Sequence, residues 1–118
     1  MEDSILTSVK SKIGMLEDYT EFDNDVIDYI NSVFMILKQL GVGPSNGFSI
    51  KDESNKWSEF ISEPERQAEL QGVKTYIYQK TKLIFDPPQS SALIEALKQS
   101  IAEFEWRLNV EAESSSSV

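Results

Sequence analysis

Apolar side chains recur along this chain at helical rather than strand spacing. Ile5, Leu6, Val9, Ile13 and Leu16 fall three or four positions apart, with Asp3 or Ser4 placed to accept first-turn amides, which predicts a helix over about 4–16. Val26, Ile30, Val33, Leu37 and Leu40 form a second stripe, widened by Ile27, Phe34 and Ile36, that starts at a capping Asp23 and stops near 40 at Gly41. Leu70, Val73, Ile77 and Ile84 mark a third helix over about 63–86, opened by the capping-box pattern Ser62-Glu63-Pro64-Glu65 and closed by Pro87-Pro88. Asp86, Pro87 and Gln89 read as cap, first residue and capping partner of a fourth helix, whose stripe Ile94, Leu97, Ile101, Phe104, Leu108 ends at about 108. Glu103 and Arg107 stand one turn apart on its polar side.

Between the second and third helices the pattern lapses. Val42 to Gly47 cannot sustain regular structure, and Phe48 to Trp57 mixes Ile50 with both charge signs, so 41–61 reads as a long loop whose role is open. Residues 111–118, with four consecutive serines, offer little apolar surface and read as a disordered acidic and serine-rich tail. The expected architecture is all-α: a compact bundle of about four helices spanning residues 1–110, plus that tail, in one domain.

Composition narrows the chemistry. The 118 residues contain no cysteine and no histidine, which removes disulfides, thiol nucleophiles, the commonest zinc ligands and the usual general base near neutral pH. No leader pattern and no apolar run of membrane-spanning length is present, so a cytosolic site of synthesis and no membrane partner are expected. Twenty acidic against eleven basic residues give a net charge of −9, the wrong sign for gripping phosphate backbones. The excess is steepest over 1–28, where Glu2, Asp3, Glu17, Asp18, Glu21, Asp23, Asp25 and Asp28 face only Lys10 and Lys12.

Each site-like pattern has a plainer reading. Gly41, Gly43 and Gly47 lack the spacing and the preceding strand of a phosphate loop. Asp23, Asp25 and Asp28 lack the glycine and the distant glutamate of a calcium loop and suit a helix N-terminus. Lys74, Lys80 and Lys82 interleave with Tyr76 and Tyr78 as in single-strand binders, but helical geometry scatters them, and protein contact or helix packing is preferred. Trp57 and Trp106 divide evenly between core plug and binding anchor. The expectation is a non-enzymatic protein with no catalytic residue, no metal and no cofactor.

The run K-T-Y-I-Y-Q-K-T-K-L-I-F-D-P-P from Lys74 to Pro88, with Trp106-Arg107-Leu108-Asn109 and Tyr29-Ile30-Asn31-Ser32, resembles the head-to-tail connector (head-completion, DNA-packaging adaptor) family of tailed bacteriophages. The order of parts carries the likeness: a short acidic first helix, a helix ending in Q-L-G-V-G-P, a loop with Trp57, a helix ending in F-D-P-P and one ending in W-R-L-N. The end after Asn109 matches no motif of that pattern.

The resemblance implies a structural virion protein at the head-tail interface. About a dozen copies would form a ring that docks on the portal protein, meets a tail or stopper protein, and continues the channel through which DNA passes without stable binding. A head-to-tail ring buries unlike faces of one subunit, and Met35, Tyr78, Lys80, Phe85, Trp106, Arg107 and Asn109 are the candidate contacts with another subunit or the portal. Which carboxylates line a channel is not legible. The rival function is a cytosolic non-enzymatic adaptor or regulatory protein-binding module.

Overall fold

The computed structural model describes residues 4–16 and 18–116. Asp3, Glu2 and Glu17, named above for capping or charge, and positions 117–118 of the expected tail lie outside the described residues. The described residues fold as four α-helices: α1 (Ile5–Lys12), α2 (Asp23–Gln39), α3 (Gln67–Phe85) and α4 (Ser91–Ser116). Among the described residues there is no strand, only an isolated antiparallel bridge between Ser4 and Lys56.

Helix α1 is capped by Ser4, whose Oγ accepts the Thr7 amide at 3.2 Å. It stops at Lys12, earlier than the apolar spacing implies. The Met15 amide returns to the Lys10 carbonyl at 2.8 Å across Gly14 at φ +82°, a C-terminal motif that glycine adopts without a Cβ penalty. Leu16 therefore lies beyond the helix and is exposed.

The same motif ends α2, where the Val42 amide reaches the Leu37 carbonyl at 2.8 Å across Gly41, the stop expected from sequence. Its start differs in detail. Asp23 is the first helical residue rather than the cap, because its carboxylate is taken by the Lys10 ammonium at 2.8 Å. Lys10 is only 2% exposed and also donates to the Tyr19 carbonyl at 2.7 Å, so one buried cation ties α1 to the entrance of α2.

The third helix begins later than its sequence signal. Pro64–Arg66 forms a 3₁₀ turn led by Glu63 without a side-chain cap, and the α geometry starts at Gln67. Arg66 instead links Glu69 (2.9 Å) and Glu63 (3.1 Å), and those carboxylates, Glu69 foremost, raise its pKa against the opposing effect of burial. Pro87-Pro88 then ends α3 as expected. The cap of α4 is Ser90, not Asp86: its Oγ accepts the Leu93 amide, while the Asp86 carboxylate turns back to Lys82 at 2.9 Å.

Helix α4 also corrects the expected tail. Residues 111–116 are helical, continuous with the 26-residue α4, which is roughly 39 Å long at about 1.5 Å per residue. Extending an existing helix adds a hydrogen bond per residue fixed, without a new nucleation cost. Ala112 packs on the core beside Gly41, and the Asn109 Nδ2 donates to the Leu40 carbonyl at 3.1 Å, which clamps this end of α4 to the end of α2.

Helix α3 is the hub, packing against α1, α2 and α4. Its Val73, Tyr76 and Ile77 are fully buried with Ile5, Val9, Ile30, Val33 and Leu37. Ile84, counted in its stripe above, points outward and is exposed. The connection between α2 and α3 is part of the core. It contributes Val42, Ile50, Trp57, Phe60 and Ile61 as buried residues, and Phe48 and Phe60 close around Phe34 with ring centroids about 5 Å apart.

Candidate interaction surfaces

The two tryptophans take opposite roles. Trp57 opens a 3₁₀ turn, is 2% exposed, and donates its indole N–H to Ser8 Oγ at 3.0 Å, so it is a core plug with its polar atom satisfied. Trp106 is 64% exposed on α4. At about 100° per residue it shares the face directed away from α3 with Gln99, Glu103 and Val110, and Val110 is exposed as well.

The other candidates divide in the same way. Met35 is 56% exposed on α2, beside a surface depression of about 310 Å³ lined by Asn31, Lys38, Asn46 and Phe48. Arg107 is exposed and bonded to Glu103 at 2.8 Å, the pair expected from sequence. Tyr78 and Phe85 are half-buried against the core, Phe85 meeting the Tyr29 ring edge-on at 6.0 Å. Lys80 stands over the Tyr76 ring and 3.6 Å from Glu105. Asn109 serves the α2–α4 clamp. Of these seven, Met35, Trp106 and Arg107 are exposed, while Tyr78, Lys80, Phe85 and Asn109 are half-buried and also make contacts within the chain.

Sequence reasoning missed one grouping. Tyr78 meets the Trp57 ring edge-on at 6.2 Å, Lys12 Nζ lies 5.6 Å from the Tyr78 centroid, and Lys74 Nζ lies 5.5 Å from the Trp57 centroid. Two ammonium groups thereby flank one aromatic pair in the seam between α1, α3 and the 3₁₀ turn. The interleaving of lysine with tyrosine flagged half of this group. Lys12 and Trp57 come from distant parts of the chain, and no local period announces them.

On the opposite side of α3, the Tyr76 hydroxyl donates to Glu105 Oε2 at 2.6 Å and the Ser100 hydroxyl to Gln79 Oε1 at 3.0 Å. Burial above all, then the hydrogen bond to and charge of Glu105, hold the Tyr76 phenol well above its ordinary pKa. Among the described residues no cluster of three His, Cys, Asp or Glu is placed to hold a metal ion, and no helix is long and apolar enough to cross a membrane.

Such a structure defines an all-α protein whose buried polar groups fasten its own helices and whose exposed apolar groups stand both on helix faces (Met35, Ile84, Leu93, Trp106, Val110) and in the α1–α2 connection (Leu16, Tyr19, Phe22). Residues 5–115 match the family model described as phage connector protein, and the chain belongs to that family. It is a structural connector of a phage, a virion component that associates with head or tail proteins. Neither the curated proteins nor the solved structures gave a match.

Proposed function

We propose that this chain is a non-enzymatic subunit of a ring that joins the portal of the phage head to the tail and continues the DNA channel after packaging. The observation that carries the reading is the family match over residues 5–115, nearly the whole chain. The exposed Trp106 and Met35 support it, because large apolar groups on the surface of a small subunit suit burial in an assembly.

Charge agrees with a conduit. A dozen copies of −9 place on the order of a hundred negative charges around the passage, which discourages the duplex from adhering. With a screening length of about 8 Å at physiological salt, only carboxylates facing the channel act on passing phosphates.

Co-sedimentation with purified portal rings tests the reading. The subunit should move to the position of the portal in several copies per ring, and the free protein should not retard DNA at moderate salt. A subunit that ignores the portal, or that holds DNA in a salt-sensitive way, would reject it.

A further inference from the structure

We propose, resting on the ring reading above, that neighbouring copies meet head to tail through two unlike faces on opposite sides of α3. The outer face of α4 around Trp106 of one copy seats on the Lys12–Lys74 face of the next.

The first support is geometric. Gly72, Tyr76 and Gln79 lie on the side of α3 that faces Phe104, Glu105 and Ser100 of α4. Lys74 and Tyr78 lie about half a turn away, facing Trp57 and Lys12. The subunit is therefore layered, with α4 on one flank of α3 and the two-lysine face on the other. Contacts between unlike, opposed surfaces are what a closed ring of identical copies requires, whereas a two-fold dimer uses one surface twice.

The second support is charge complementarity. In a chain of net −9, the stretch from Leu70 to Phe85 carries three lysines and no carboxylate. Lys80 and Lys82 are spent on Glu105 and Asp86, but Lys12 and Lys74 meet aromatic rings only and no carboxylate among the described residues. The outer face of α4 has the opposite sign: Glu95, Glu103 and Glu113 stand against Arg107, and since Glu103 and Glu113 each have a contact within the chain, the face attracts cations by its net negative charge rather than by an unpaired carboxylate. Glu103 and Glu113 stand roughly 15 Å apart along α4 at about 1.5 Å per residue.

The third support is the anchor. Trp106 and Val110 form an exposed apolar ridge one turn long, and tryptophan is the residue type that most often dominates a protein interface. Carboxylates on both sides of that ridge fix its register on a basic neighbour and repel the equally acidic α4 of a symmetric mate.

The test is charge reversal with mixing, read by sedimentation of the full chain on portal rings and by carbodiimide coupling, which links lysine to a touching carboxylate. Lys12→Glu with Lys74→Glu, and separately Glu103→Lys with Glu113→Lys, should each reduce ring incorporation at least ten-fold while helical content stays unchanged. An equimolar mixture should restore it, since each reversed face then meets its complement. Coupling in wild type should join Lys12 or Lys74 of one copy to Glu103 or Glu113 of another. Rings that form unimpaired in both variants, or coupled pairs lying elsewhere, would overturn these faces and leave the ring reading standing. A wild-type chain that never occupies the portal would overturn both. DNA retention lost in the Lys12→Glu, Lys74→Glu variant would assign the lysines to phosphate instead and overturn the pairing.

Discussion

The side chain of Asn31 on α2 grips the backbone of Ile50 in both directions, accepting the Ile50 amide on Oδ1 at 2.8 Å and donating Nδ2 to its carbonyl at 3.1 Å. One amide group thus stands in for a neighbouring strand and fixes the long connection on the helix bundle at a buried residue. Asn31→Ala strands both backbone groups, and unfolding in urea should show a loss of roughly 2–4 kcal/mol. A change below about 0.5 kcal/mol would show that water replaces the amide there.

Gly43 sits at φ +92°, where a Cβ would come within 2.5 Å of the Phe60 ring. Gly43→Ala combines the left-handed penalty of about 1–2 kcal/mol with displacement of a ring in the Phe34–Phe48–Phe60 cluster. Gly14→Ala has only the first of these, its nearest new neighbour being the Asp86 carboxylate at 3.8 Å. Thermal unfolding should rank Gly43→Ala clearly below Gly14→Ala, and equal midpoints would contradict the packing described around Phe60.

Tyr76 gives stability an alkaline limit. Its folded pKa lies above the ordinary value of 10.0, so above that pH an unfolded chain releases a proton that the folded chain retains. The unfolded state then binds fewer protons, and stability falls as pH rises from about 10 toward the folded value, after being fully present below. Urea midpoints followed across that range should fall in wild type and fall less in Tyr76→Phe. Burial raises Tyr29 in the same direction, so the variant keeps a residual slope. Identical slopes would contradict the burial of the Tyr76 phenol, which is the main cause of its raised pKa.

The tryptophans are separable by quenching. Tyrosine aside, the emission of Trp57→Phe comes from exposed Trp106 and should be quenched readily by iodide, whereas Trp106→Phe leaves the shielded Trp57. Trp57→Ala should also cost about 3–5 kcal/mol, against under about 0.5 kcal/mol for Trp106→Ala in the free subunit. Similar quenching of the two would contradict the division of core plug and surface ridge.

The helices were legible because their apolar residues repeat locally, and the proline pair and Gly41 state their own backbone consequences. The ends were less so. Asp23 and Asp86 look like caps, but each finds a lysine that outcompetes the amides, Lys10 from another helix and Lys82 from the preceding turn. The core role of Ile50, Trp57 and Phe60 was hidden because an irregular segment buries side chains by tertiary fit rather than by period. Tyr78 and Phe85 read as exposed apolar surplus and are half-buried for a related reason: part of their cover comes from Trp57 and Tyr29, distant in sequence. The serine-rich end was judged on composition, which ignores that a helix already clamped by Asn109 can continue.

The most direct measurement is electron microscopy of the purified subunit bound to portal rings. The account predicts a closed ring of identical copies, coaxial with the portal, around an axial opening wide enough for duplex DNA. Single copies attached at the portal rim, or a density that closes the axis with no ring around it, would contradict it.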